Sequence, residues 1–323
     1  MARARAIRVG TSGWSYPSGA GTWNGIFYPR QPARRPRGSP KFDELAFYAE
    51  HFDTVEVNSS FYRIPTTATV QKWAERTPAE FEFSLKLYQK FTHPDMFAKA
   101  TGADPSRLGM ADVDGFRAAI APLADAGKLG ALLAQFPASF KNDDESRGYL
   151  EWLLKAFREY PLAVELRHRS WSDDAAGTAA ILGEYEAALA QIDEPKFKTS
   201  IRQTLRPNVK TFYYLRLHGR NAEQWWKHEK SEDRYNYFYT PEELAPFAEA
   251  AKDASRAVKK AYLYANNHFS AKSVANAAIL KAQLGQELDG EYSPEFVERY
   301  PDLKGIVKLL PEQPMLTASR KPS

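Results

Sequence analysis

Short runs of Val, Ile, Leu, Phe and Tyr recur along the chain, and most are separated by amphipathic stretches of helical length. The strand-like runs are 7–12, 53–59, 81–87, 129–136, 162–168, 188–193, 211–218 and 261–267. Helices fit at 41–51, 66–76, 112–127, 144–159, 174–187, 241–260 and 271–285. Strand followed by helix, repeated, implies parallel pairing, because a parallel connection needs a crossover long enough to hold a helix. Eight repeats predict an α/β fold closed into a parallel (β/α)8 barrel of TIM type in one domain, with an open doubly wound sheet as the alternative. Strand six has the least support, since a Pro-bounded basic loop with little helical character follows Asp193.

Two insertions exceed the usual connection of a few residues. One is 13–41, rich in Gly, Pro and aromatics; the other is 219–240, with Trp225, Trp226, Tyr235, Tyr237, Phe238 and Tyr239. Both follow strands, which predicts that they lie on the face where such barrels carry their sites, or that they plug the barrel mouth. Residues 1–6 read as an N-terminal tail, 7–285 as the barrel and 286–323 as a C-terminal extension with a frayed end.

The polar positions inside the strands carry the most information. Side chains alternate faces along a strand, so residues two apart share a side. Val55 and Val57 oppose Glu56 and Asn58; Phe81, Phe83, Leu85 and Leu87 oppose Glu82, Ser84 and Lys86. Val164 and Leu166 oppose Glu165 and Arg167, while Leu215 and Leu217 oppose Arg216 and His218. The apolar set should pack on the helix ring, sending the polar set into the barrel axis, which is normally filled by branched apolar side chains. Ionised groups there cost several kcal/mol each unless paired. Glu56 and Glu165 against Lys86, Arg167 and Arg216 leave a local positive excess, so either a closed ion network fixes the register or the same groups form a ligand site near the strand ends.

Composition narrows the chemistry. No cysteine is present, which removes disulfides, thiolate catalysis and cysteine-ligated metals, so a metal would need His, Asp or Glu. No HExxH or similar spacing occurs; no cofactor is expected, and a divalent ion on His, Asp or Glu ligands stays open. No run approaches the ~18 apolar residues of a membrane span, and MARARA is not followed by a secretory apolar region, so the expectation is a cytoplasmic protein without membrane contact. The formal charge of +4 is mild. It is concentrated in 30–41 (Arg30, Arg34, Arg35, Arg37, Lys41) and 196–210 (Lys196, Lys198, Arg202, Arg206, Lys210), loops that are either simply solvated or able to meet nucleic acid.

Strand ends add Trp14, Tyr62, His93, Gln135, His168, Trp171, Asp193, Asn266, Asn267 and His268. Four of the six histidines, His93, His168, His218 and His268, end or follow a strand. The motifs GTSGWSY (10–16), TVEVNSSFYRIP (54–65), the stretch from Lys86 to Pro94, AQFP (134–137), AVELRHRSW (163–171), RLHGR (216–220) and YANNH (264–268) occur in order over about residues 7–283. In these the chain resembles the DUF72 (YecE-like) family. The resemblance implies a β/α barrel and leaves the reaction open, as the family has no established activity. The chain departs from the family at 195–210 and in its long tail.

The leading functional expectation is an enzyme performing hydrolytic or other acid–base chemistry, of hydrolase, lyase or isomerase type, on an anionic small molecule or sugar phosphate. Lys86, Arg167 and Arg216 would hold the anion, Glu56 or Glu165 would act as acid or base, and His218 or His93 would be its partner. Trp14, Tyr62 and Trp171 would supply stacking surfaces, and Asn58, His168, Asn266, Asn267 and His268 further substrate contacts. A glycosidase version would need Glu56 and Glu165 on opposite sides of the bond. The alternatives are a nucleic-acid-binding or nucleic-acid-processing protein and a non-catalytic ligand-binding barrel.

Overall fold

The polar-apolar alternation of the strands becomes, in the computed structural model, an inside and an outside. The structure describes residues 6–31, 38, 41–102, 104, 108–226 and 233–311. The strands are β1 (Ile7–Ser12), β2 (Thr54–Val57), β3 (Glu82–Lys86), β4 (Leu129–Gln135), β5 (Leu162–Glu165), β6 (Ala188–Leu189), β7 (Gln191–Asp193), β8 (Phe212–Leu217) and β9 (Lys260–Ala265). Their order around the sheet is β6-β5-β4-β3-β2-β1-β9-β8-β7, and neighbours run parallel.

β6 and β7 are two halves of strand six, interrupted at Ala190. The first half pairs with β5 and the second with β8, so the ends of the sheet are pieces of one strand and the sheet closes there. The fold is a single-domain (β/α)8 barrel of TIM type, and the open-sheet alternative falls. Helices fill six of the seven connections, Glu44–Ala49, Thr67–Glu75, Met110–Asp125, Asp144–Ala156, Ala175–Glu184 and Pro241–Ser255, and another, Lys272–Gln283, follows the last strand. The stretch 194–211 holds none. Several starts are fixed by side-chain caps, as when Asp43 accepts from Leu45 and Ala46, Asp143 from Ser146, and Thr240 and Glu243 form a capping box.

Val9, Val55, Val57, Phe83, Leu85, Val164, Leu215 and Leu263 join the core shared with the helices. Inside the barrel a second cluster forms from Ala131, Leu133, Ala163, Ala188, Ala190, Phe212, Tyr214, Tyr262 and Tyr264. Tyrosines from β8 and β9 meet small residues from β4 to β6, which lets bulky rings fill the axis. Gly130 belongs to this fit: a Cβ there would stand 3.2 Å from Tyr262 Cε1 and 3.3 Å from Ser84 Oγ. It lies where the β3–β4 register shifts, and beyond the shift Leu132 and Ala134 join the helix-side core while Gln135 borders a cavity. Beneath the tyrosines Glu82 pairs with Arg8 at 3.1 Å and Lys260 at 2.7 Å.

The extension is folded as far as residue 311. Two short strands, Glu291–Tyr292 and Lys308–Leu309, pair in parallel, and Tyr292 and Phe296 pack on Phe27. Residues 312–323, where the frayed end was expected, lie outside the described residues, as do the 1–5 portion of the predicted tail and Arg34, Arg35 and Arg37.

Candidate active site

At the C-terminal ends of the strands a cavity of about 740 Å³ opens. Its walls include Lys86, Arg167, Arg216 and Arg234 and, as the single acid among its described lining residues, Glu194. Glu56 and Glu165 are fully buried and lie behind the arginines. Alternation along β2, β5 and β8 dictates this arrangement, since Glu56, Glu165 and Arg216 occupy inward positions one level above the tyrosine layer.

Arg216 joins the two carboxylates. Its Nε and Nη2 bond Glu56 Oε2 and Oε1 at 2.9 and 2.7 Å, while Nη1 meets Glu165 Oε2 and, at 3.0 Å, Gln135 Oε1. Glu56 also accepts from Ser12 Oγ and Tyr214 Oη, both at 2.7 Å. Arg167 Nε donates to Glu165 Oε1 at 2.8 Å, and its Nη1 stands 3.4 Å from Glu194 Oε2. The result is a buried chain, Glu56–Arg216–Glu165–Arg167–Glu194, each charge facing an opposite one. Burial pushes the Glu165 carboxyl up, but Arg216 and Arg167 outweigh it and hold it well below the usual carboxylate range.

Glu194 behaves differently. Burial, aided by Glu165 and opposed by Arg167, raises its pKa, and its Oε2 has no hydrogen-bond partner. Lys86 is moved the other way. Burial first, then Arg216 and Arg167, lower its amine to about 7, and Nζ has neither an ion pair nor a hydrogen bond among the described residues, resting instead 3.8 Å from the centre of the Phe61 ring. A cation over an aromatic face gains about 0.5–2 kcal/mol. One pKa unit is worth about 1.4 kcal/mol, so the ring offsets the lowering only in part.

Burial lowers the pKa of three histidines at the strand ends, His218, His93 and His268. Burial lowers His218 to about 4, and its Nδ1 lies 2.8 Å from Asn266 Nδ2. Burial, with Lys86 and Arg167, lowers His93 to about 3. Burial takes His268 to about 4; its ring stacks on Tyr16 at 4.5 Å. The backbone after His268 is strained, with Ser270 and Ala271 at φ 53 and 60°, and it is tied down by Trp23 Nε1 donating to His268 O at 2.7 Å.

A model of the family described as "Protein of unknown function DUF72" matches residues 8–298. The chain belongs to the DUF72 family. It is 28% identical over 294 residues to the UPF0759 protein YunF of Bacillus subtilis, covering 89% of this chain and 96% of that one. A solved DUF72 structure from Thermotoga maritima is 31% identical, covers 87% of this chain and 100% of its own, and superposes with a TM-score of 0.72. Another, from Enterococcus faecalis, is 25% identical over 88% of this chain and 97% of its own, with a TM-score of 0.73.

Of the predicted residues, this DUF72 barrel brings Asn58, Tyr62, Lys86, His93, Arg167, Arg216, Asn266 and His268 to the cavity. Others stand elsewhere. Trp14 turns toward the helix ring, edge-on to Trp73 at 5.5 Å and Phe83 at 6.4 Å. Trp171 is fully buried, stacked on Phe140 at 5.4 Å with Nε1 donating to Phe140 O. The aromatic wall comprises Tyr62 with Tyr16, Phe61, Phe197, Trp225 and Tyr235. His168 caps the helix Arg169–Asp173, accepting from Ser170 N, and Asn267 bonds Tyr237 O and Asn276; neither reaches the cavity.

Both glutamates named as acid or base, Glu56 and Glu165, clamp one guanidinium, that of Arg216, and neither lines the cavity. The neutral His218 and His93 are likewise poor proton donors at neutral pH. The missed residues include Tyr16, Phe61, Arg234 and, of most chemical interest, Glu194. Its only sequence signal is its place directly after Asp193 at the end of strand six. Among the described residues no group of three or more His, Asp or Glu is placed to hold a metal ion. No helix among them is long and apolar enough to cross a membrane.

Proposed function

We propose that this barrel is an enzyme performing acid–base chemistry on a small anionic molecule at the cavity mouth, with Glu194 as the proton-transferring group. One observation carries the reading: four basic side chains and one acid, Glu194, line the cavity, while the compensating carboxylates Glu56 and Glu165 lie behind the arginines. A ligand therefore meets a wall with more basic than acidic side chains. Glu194 and Lys86 have pKa values displaced toward neutrality from opposite sides, which is how proton donors and acceptors are made at pH 7.

Arg167 and Lys86 are the cations best placed to hold the anion. Arg216 borders the cavity too, but four of its five N–H hydrogens go to Glu56, Glu165 and Gln135. The basic loop 196–210 adjoins the cavity through Phe197 and Ser200, but Arg202 pairs with Asp173 at 3.3 Å. This favours the small-molecule reading over nucleic acid.

Calorimetry with inorganic phosphate and sugar phosphates is the test, run on wild type and Arg167→Ala. One charged hydrogen bond is worth about 1.5–3 kcal/mol, so the variant should bind roughly tenfold to a hundredfold more weakly. Absence of wild-type binding at millimolar concentration would sink the anionic-substrate reading.

A further inference from the structure

We propose that Lys86 is a nucleophile, and that the substrate is an anionic aldehyde or ketone whose carbonyl carbon it captures as an imine. The inference rests on the anion-binding reading above and adds a covalent step to it.

Geometry carries it. Lys86 ends β3 and lines the cavity, at the level where barrel enzymes place reacting groups. Every other charged group of the buried chain has an opposite charge within ion-pair distance, whereas the Lys86 amine has none among the described residues. Its nearest described partner is the Phe61 ring, which screens one side of it from water and cannot accept its proton. A lysine needed only to balance charge would have been placed against Glu56 or Glu165. Here both acids are saturated by arginines, and the two arginines repel a proton on Nζ. Desolvation beside other cations is how lysine amines become reactive at neutral pH.

The Nζ lone pair attacks the carbonyl carbon, forming the C–N bond, and the C=O π pair moves to oxygen, which takes a proton from the Glu194 carboxylic acid. The ionised Glu194 then removes a proton from nitrogen. It returns that proton to the carbinolamine oxygen, the C–O bond breaks, and water leaves a protonated imine. Arg167 holds the substrate's anionic group meanwhile. A raised Glu194 pKa suits a carboxyl that must both give and take the proton.

The test is reductive trapping. Wild-type protein at pH 7.5 is incubated with dihydroxyacetone phosphate, pyruvate or, as an uncharged control, acetone. Borohydride is added and lysine-containing peptides are mapped by mass spectrometry. At this pH the unprotonated fraction of Lys86 exceeds that of a surface lysine by on the order of several hundredfold.

The expected result is a secondary-amine adduct concentrated on Lys86 with at least one anionic carbonyl compound, suppressed by excess phosphate and at least tenfold weaker with acetone. Adducts spread over surface lysines, or none on Lys86, overturn the proposal. If calorimetry shows phosphate binding while trapping fails, the covalent step alone is wrong; if both fail, the anionic-substrate reading fails with it. Mapping wild type needs no variant to fold. Lys86→Arg should lose the adduct.

Discussion

Glu56 and Arg216 face each other across the barrel, carboxylate to guanidinium, through two parallel hydrogen bonds of 2.7 and 2.9 Å. The pair is almost wholly buried, and each partner has further bonds of its own, Glu56 to Ser12 and Tyr214, Arg216 to Glu165 and Gln135. It ties β1, β2, β4, β5 and β8 together above the tyrosine layer. Its strength lies in that satisfaction: breaking a buried pair leaves a charge stranded, whatever the net worth of the intact pair.

Arg216→Met should therefore cost about 3–5 kcal/mol of stability, since Glu56 and Glu165 would lose their shared counterion. Urea unfolding checks this: the midpoint should fall while the slope of free energy against urea stays that of wild type.

Glu194→Gln should alter how stability depends on pH. The folded pKa of Glu194 lies above its unfolded value of about 4.5. The folded state thus holds the proton longer, and stability declines as pH rises from about 4.5 through the folded pKa. Glutamine has no proton to lose, so the variant should gain on wild type over that window. Thermal melts from pH 4 to 8 that run parallel for the two proteins would show that Glu194 titrates normally.

Lys86→Met should show the opposite slope. Lys86 is lowered to about 7 in the folded state against 10.5 unfolded, so the unfolded chain binds more protons between those values. Wild-type stability relative to the variant should then rise as pH climbs from about 7 to 10.5, and stay flat below 7. A difference that is constant across pH 6 to 10 would mean the amine is an ordinary ammonium.

Trp171→Ala and Tyr62→Ala should separate packing from binding. Trp171 is fully buried, so its loss should cost about 3–5 kcal/mol and leave the phosphate Kd of the folded protein unchanged. Tyr62 is 69% exposed at the cavity, so its loss should shift stability by no more than about 0.5 kcal/mol. Sugar-phosphate affinity should drop in this variant, as read by calorimetry.

What the sequence made legible follows from periodicity. Alternation in β2, β3, β5 and β8 assigned Glu56, Lys86, Glu165 and Arg216 to the axis because a strand offers only two directions, and the structure brings them together. Loops have no such period. Trp14 and Trp171 both follow strands, yet one turns toward the helix ring and the other under Phe140, and nothing local in the sequence tells which way a loop residue turns. Glu194 escaped for a related reason: strand six is broken, so the period that would have flagged it stops short. The histidines show a further gap, since a sequence gives their positions but not the burial that keeps His93 and His218 neutral.

The break at Ala190 also grades the stiffness of the cavity. Arg216 and Glu56 are anchored on continuous strands deep in the ring, and Glu165 closes the β5 ladder; together they form an unyielding jaw. Glu194 hangs from β7, a three-residue piece whose only strand partner is β8, its other side meeting Gln203, Thr204 and Leu205 of a connection without a helix. A small widening of that seam would stretch the 3.4 Å contact between Glu194 and Arg167 while the Glu56–Arg216–Glu165 girder stays in place, so the proton-carrying group rides on the more compliant jaw and the charge-holding groups on the fixed one.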